Sequence, residues 1–534
     1  MEFIQQYISE LFLIVTALLL AFLPIKHVLH IFQQNRYELP RYNQWLQNYA
    51  FKKPLGMLPT IAIIVMVTVI SFLSFPLWMK NSISSIIAVL YFSFLFLFES
   101  KKKYIKPLKV TGRVIRQIVV MVLLILGLDG LVIFFLPVTY WFLLFVISLV
   151  GPWVFIYLVY WITYPAEKLV QNYYLNQAKK ILHAQKNLIK VGITGSYGKT
   201  SSKNILQEIL SEKFYSLMTP ASFNTPMGIT ITIRTLLKPL HQVFICEMGA
   251  DKVGEIDFLT KFVEPQYGMV TSIGPQHLNT FKSIDNIINE KMKMIENLPI
   301  TGVGVLNKDN EYIRNYYIKN KCKIVWYGIE QEEVDYRAIH IHYSPQGSSF
   351  DVFTSEKTTH HFETRLLGEH NIANILASIA LGRELGVSWE QLQKAVKKVR
   401  YVEHRLEVKK INGYTFIDNA FNSNPVGAKM SLEVLQGMPG RRVIVTPGMI
   451  DLGEQQDQLN KEFGKEMLGK ADLVILVGVQ QTKAIQEGLK EVSFPSENIQ
   501  VVKTVKEAFD YVYHNLSTED TILLENDLPD AFNN

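Results

Sequence analysis

A length of 534 residues and a mean hydropathy of +0.13 exclude a single small domain and exclude a chain that is soluble throughout. The net charge of +6 is small and its excess sits beside apolar stretches, where anionic headgroups account for it, so no nucleic-acid partner is expected. Two cysteines, Cys246 and Cys322, rule out a disulfide framework and offer no metal-ligand spacing.

Nearly uncharged stretches run from Leu11 to Ile25, Met57 to Trp78, Ile83 to Phe98, Ile118 to Val138 and Tyr140 to Thr163. They predict a membrane region of about five helices over residues 1–163. The first stretch carries Glu2 and Glu10 in its flank and no small-residue cleavage pattern, so it is expected to stay as an anchor. Lys26, Arg36, Arg41, Lys52 and Lys53 follow it, a second basic run follows the third stretch, and the two remaining connections share only Lys80. The positive-inside rule then puts the N-terminus outside a bacterial cell membrane and everything after Thr163 in the cytoplasm. Asp129, inside the fourth stretch, reads either as functional or as facing the bundle interior.

Residues 164–187 read as a helical connector. Beyond them strands and helices alternate, which predicts an α/β fold with a mostly parallel sheet. The first strand leads into KVGITGSYGKTSSKN, residues 190 to 204. A loop with Gly195, Ser196 and Gly198 that opens a helix at Lys199, Thr200 and Ser201 turns backbone N–H groups and the helix dipole toward a polyphosphate. Lys199 suits the β/γ-phosphates and Thr200 suits Mg²⁺. The cofactors expected are therefore ATP and Mg²⁺. Ile193 stands where the common P-loop has its first glycine.

Later strands end in polar residues, where ligands gather on an open α/β sheet. Glu247 closes VFICE and is placed to hold Mg²⁺, and His277 follows YGMVTSIGP. Lys291 shares a helical face with Ile284, Ile287, Ile288, Ile295 and Leu298. Burial there disfavours its charge, which allows reaction with CO₂ to a metal-binding carbamate; a snorkelling lysine fits the same spacing.

TGSYGKTS, NTPMG (Asn224 to Gly228), CEMGADKVGEI, TSIGPQHL, the helix with Lys291, GEHNIANILAS, EHRLE and IDNAFNSNP together resemble the Mur ligases, the D-alanyl-D-alanine-adding branch above all. The resemblance covers roughly residues 188 to 460. It implies a P-loop-containing central ATP-binding domain over 188–400, a Rossmann-like C-terminal domain over 401–534, and an ATP-dependent acid–amino-acid ligase working through an acyl phosphate. By residue, it assigns Lys199 and Thr200 to phosphates and Mg²⁺, and Glu247, His277 and carbamylated Lys291 to metal. Asn371 falls to adenine, Arg405 and Asp418 to phosphate and ribose, and Asn224 and Thr225 to substrate. Three positions depart from the pattern: Asn419 replaces a second acid, Lys293 replaces an acid, and LLENDLPDAF stands where a basic motif that helps recognise the dipeptide is expected. Membrane helices occupy the place of the domain that binds the uridine nucleotide.

The reading is a membrane-anchored amide ligase of bacterial cell-wall peptide synthesis. Its partners are the bilayer, a small-molecule or lipid-linked peptide acceptor, and an amino-acid or peptide amine. Rival readings are an amide ligase making a surface poly-amino-acid, an ATP-driven transporter, and a non-catalytic ATP-fold module. Oligomeric state is not readable from the chain.

Overall fold

The computed structural model describes residues 2–49, 57–100, 107–344, 347–401, 406–420, 423, 425–450, 452 and 455–526. Two compact units divide the chain, Met1–Tyr173 and Tyr174–Asn534.

The first unit is helical: α1 (Glu2–Gln34), α2 (Leu39–Tyr49), α3 (Met57–Phe72), α4 (Leu77–Ser100), α5 (Gly112–Phe135) and the start of α6 (Leu143–Ala184). Leu19, Leu97, Leu123 and Phe134 are more than half exposed on its outside, as lipid-facing side chains are. Among the described residues, four helices are long and apolar enough to cross a membrane, against the five expected. The difference lies in the second stretch, which the chain breaks at 73–76 into α3 and the beginning of α4. As α3 has 16 residues it is about 24 Å long, short of the usual span.

Contacts inside this unit still sort the helix ends into two layers. In one, Lys26 near the end of α1 pairs with Glu99 at the end of α4 (3.3 Å), and Gln33 bonds Lys109 just before α5. In the other, Ser71 at the end of α3 accepts from Lys80 at the start of α4 (3.2 Å), and Phe72 packs edge-on against Tyr140 and Phe142 before α6.

In the second unit, β1 (Ile189–Thr194), β2 (Ser216–Met218), β3 (Val243–Glu247), β4 (Tyr267–Val270), β5 (Val303–Asn307), β6 (Lys323–Gly328), β7 (Tyr336–Ser344), β8 (Gly347–Thr354) and β9 (Thr359–Thr364) form one sheet in the order β2-β3-β1-β4-β5-β6-β7-β8-β9. Pairing is parallel as far as β7 and antiparallel beyond it. All five residues of β3 are buried, as befits an inner parallel strand covered on both faces. The helices of this part are α7 (Lys199–Ser211), α8 (Pro226–Thr235), α9 (Glu255–Val263), α10 (Leu278–Phe281), α11 (Ile284–Glu296), α12 (Glu311–Arg314), α13 (Glu369–Glu384) and α14 (Trp389–Lys398).

A second sheet, in the order β10-β11-β15-β12-β13-β14, contains β10 (Glu407–Ile411), β11 (Tyr414–Asn419), β12 (Arg442–Thr446), β13 (Leu473–Val477), β14 (Ile499–Val502) and β15 (Thr521–Glu525). Only β10 runs antiparallel. Helices α15 (Pro425–Gln436), α16 (Gln456–Glu466), α17 (Lys483–Glu491) and α18 (Val505–Asn515) complete this α/β layer. The expected helical region followed by two α/β domains is what the chain forms. The segment expected to be a connector is partly core: Leu175, Ala178, Ile181 and Leu182 of α6 pack with Leu188, Phe244 and Phe262.

Candidate nucleotide and metal site

Strand β1 lies between β3 and β4, so the ends of these three strands bring the loop after Thr194, Glu247 and Thr271 to one sheet edge. The loop is held tightly. Gly198 has φ +80°, and a Cβ there would meet Asn374 Oδ1 at 2.6 Å, so both conformation and space require glycine. At Gly195 a Cβ would meet Thr271 Oγ1 at 2.2 Å. Helix α7 then begins at Lys199 with its N–H groups at the loop, the arrangement that receives phosphate oxygens.

Not every expected loop group stays available. The Ser196 hydroxyl bridges to Gly274, donating to its carbonyl and accepting from its N–H at 3.0 Å each, and Ser196 N–H donates to Ser272 O. Lys199 Nζ donates to Gly195 O (2.7 Å) and Ser196 O (3.0 Å), curled over its own loop. Ser201 is buried in the first turn of α7.

Glu247 is the hub. Its Oε1 accepts from Thr200 Oγ1 (3.2 Å) and Asn224 Nδ2 (3.0 Å). Its Oε2 is buried, accepts no well-aligned hydrogen bond, and lies 3.0 Å from Lys203 Nζ. A buried carboxylate beside a threonine hydroxyl and a carboxamide is a hard-oxygen set that fits Mg²⁺. Thr225, expected at the substrate, caps α8 by accepting from Gly228 N–H.

His277 and Lys291 have partners of their own. His277, left-handed at φ +57°, faces Asp251 with Nε2 3.2 Å from Oδ1. Lys291 is buried and donates to Ala250 O at 3.2 Å, with the Phe281 ring beneath its ammonium. Burial first, and then the Lys199 ammonium, push this amine down to about 7 against the pull of Glu290, Asp251 and Glu255. Among the described residues no three His, Cys, Asp or Glu side chains converge as a metal cage. Lys291 feels the Lys199 ammonium of the phosphate loop, and a carbamate on it would add anionic oxygens to this edge.

Asn371, buried in the first turn of α13, donates to Leu367 O at 2.8 Å. Beside it a cavity of about 110 Å³ opens between Tyr343, Leu367 and Glu369 of the middle domain and Met430, Glu433 and Met438 of the last. Burial, then Glu330 and Glu433, raise the Glu369 carboxyl. Asp418, at the end of β11, pairs with Lys409 at 2.7 Å. Arg405 lies outside the described residues.

Two residues at this edge escaped the sequence reading. Lys203 is one helical turn beyond Thr200, a spacing that puts both on one face, but a lysine in a soluble helix reads as surface. Asn374, one turn beyond Asn371, accepts from Ser202 and abuts Gly198. At the departing C-terminal motif, Glu525 is fully buried and accepts from Asn419, Ser423 and Ser431. Burial raises its carboxyl against those three donors.

Residues 193–382 match the family model described as Mur ligase middle domain, and residues 404–525 match Mur ligase, glutamate ligase domain; together these exceed half the chain. The UDP-N-acetylmuramoyl-tripeptide--D-alanyl-D-alanine ligase of Bacillus subtilis (strain 168) is 27% identical over 63% of this chain and 72% of its own length. Its Escherichia coli (strain K12) namesake is 28% identical over 54% and 64%. Among solved structures, MurF from Acinetobacter baumannii superposes with a TM-score of 0.60 at 25% identity, covering 67% of this chain and 77% of that one. The fold is also that of the MurF ligase from Thermotoga maritima in complex with ADP (TM-score 0.59, 23% identity, 67% and 80% covered).

Proposed function

The chain belongs to the Mur ligase family of ATP-dependent ligases, and from that premise we propose that it joins an amine to a peptidoglycan-type peptide carboxylate at the inner face of a bacterial membrane. The observation that carries the chemistry is Glu247, which gathers Thr200, Asn224 and Lys203 beside the phosphate loop.

Mg²⁺, when bound, supplies charge neutralisation to the triphosphate, and Thr200 and Glu247 are the residues to hold it. The N–H groups of α7 and the Lys199 ammonium bind and orient the phosphates. The acceptor's carboxylate oxygen attacks the γ-phosphorus, the bond to ADP breaks, and an acyl phosphate results. The amine nitrogen then attacks the acyl carbon, phosphate leaves, and the amine proton passes to solvent or a nearby base. Both steps need clustered positive charge and exclusion of water, which the closing of the last domain over the cavity beside Asn371 would provide.

The apolar helices support an anchored enzyme, and the layered helix ends together with the basic loops support an N-terminus outside and a catalytic half in the cytoplasm. An acceptor carried on a lipid at the inner leaflet suits such an anchor, because tethering raises its effective concentration. Glu525, in place of a basic motif, favours an amine other than D-alanyl-D-alanine.

The deciding experiment supplies ATP, an amine pool and either a lipid-linked acceptor or its soluble uridine-nucleotide counterpart, and identifies products by mass. Full-length protein is compared with a version beginning at Tyr164. Ligation of the lipid-linked acceptor, weakened on truncation, is the expected result. Equal preference for the soluble nucleotide by both proteins would reject the lipid-linked acceptor, and no amide product from any pair would reject the ligase.

A further inference from the structure

The side chains of Lys203 and Glu247 are each 1% exposed, which makes theirs the deepest ion pair beside the phosphate loop among the described residues. Desolvating an ammonium is unfavourable, and α7 would close on an apolar residue at this position without that cost. The lysine's bonds say what it holds instead. Nζ lies 3.0 Å from Glu247 Oε2 and donates to the carbonyl of Ala221, in the loop that leads to Asn224. Asn224 in turn donates to Glu247 Oε1, the oxygen shared with Thr200. One carboxylate thus has a different side chain on each oxygen, and one lysine ties helix α7, the end of β3 and the 221–224 loop together.

We infer that Lys203 is a positioning residue: by taking Oε2 it fixes the rotamer of Glu247 that turns Oε1 toward Thr200, and it pins the Asn224 loop against the same carboxylate. Its Nζ is committed to Glu247 Oε2 and the Ala221 carbonyl, so it acts through that carboxylate. The inference rests on the reading of Glu247 as a magnesium ligand.

The test is a double-mutant cycle on the full-length protein, reading Mg²⁺-dependent ADP binding by calorimetry for Lys203→Met, Glu247→Gln and the pair. Each single change is expected to weaken Mg²⁺-dependent binding about tenfold and to leave Mg²⁺-free ADP binding unchanged. The pair should be no worse than Glu247→Gln alone, because Lys203 acts through that carboxylate. Lys203→Arg, which keeps the charge, should recover most of the loss. Normal binding in Lys203→Met beside impaired Glu247→Gln, or losses that multiply, would overturn this inference alone. Normal binding in Glu247→Gln would overturn the magnesium reading and this inference with it. If Lys203→Met does not fold, a cooperative melt regained on adding Glu247→Gln supports the pairing, since the defect is then an unpaired carboxylate. A pair that also fails to fold overturns it.

Discussion

Asn419 Nδ2 donates to Glu525 Oε2 across 2.8 Å, between residues that stand side by side at the ends of the parallel strands β11 and β15. The sequence departs from the expected Mur pattern at both places, Asn419 standing where an acid is expected and Glu525 lying in the stretch where a basic motif is expected, and the carboxamide meets the buried carboxylate. An acid at 419 would set a second carboxylate against the fully buried Glu525.

Asn419→Asp should therefore destabilise the catalytic unit by about 2–4 kcal/mol, the cost of opposing a buried acid with another. The pH dependence gives the sign. Crowding raises the folded-state value of the acid pair, so the folded chain holds a proton that the unfolded chain has lost. Stability is kept at low pH and lost as pH rises through that raised value. Thermal melts between pH 5 and 8, on roughly that scale of titration, should show the variant's deficit growing with pH, and a deficit independent of pH would refute the account.

Lys199→Ala should abolish ATP turnover while the protein stays folded and membrane-inserted. Lys199 Nζ donates to the loop carbonyls Gly195 O and Ser196 O, so its removal takes away the cation that the loop offers to phosphate. ATP hydrolysis and a melting curve, measured on one preparation, check both halves. Near-normal turnover would remove the phosphate-loop role.

Lys291→Ala should lose activity and regain part of it with acetate, which can occupy the place of a carbamate. Lysine at this site titrates near 7 against 10.5 when unfolded. Between those values the unfolded chain binds the extra proton, so stability rises with pH across the window and the burden of the buried charge is fully present below it. In carbonate-free buffer, Lys291→Met should flatten that rise. Full activity of Lys291→Ala without additive would make the lysine structural.

Reporters placed before Met1 and after Asn534 should fall on opposite sides of the membrane, with the second in the cytoplasm. The motivation is the contact of Ser71 with Lys80 at one end of α4 and of Lys26 with Glu99 at the other, together with the basic loops. Reporters on the same side would mean that α3 does not cross.

What could be read from the sequence was local. The strand, glycines, Lys199 and Thr200 lie within one strand–loop–helix turn, and Glu247 ends an unbroken apolar run, so each announced itself by spacing. Lys203 did not, because its meaning lies in a carboxylate on another strand. The contacts of His277 with Asp251 and of Lys291 with Ala250 O were likewise out of reach, since motif order names no partners across a sheet edge. The second apolar stretch hid a break because hydropathy is blind to where a helix ends and the next begins.

Helix α6 runs unbroken from Leu143 to Ala184, and its last three turns are part of the ligase's own interior. Removing Ala178 and Leu182 would open cavities beside Phe244 and Phe262, at about 2–5 kcal/mol for a leucine alone. A protease or a gene break acting after Tyr174 would therefore yield a damaged protein and not a released enzyme. A cut that spares the catalytic unit must therefore fall before Tyr174, which leaves the exposed, polar stretch from Tyr164 to Tyr173 as the place where the enzyme could be parted from its helices.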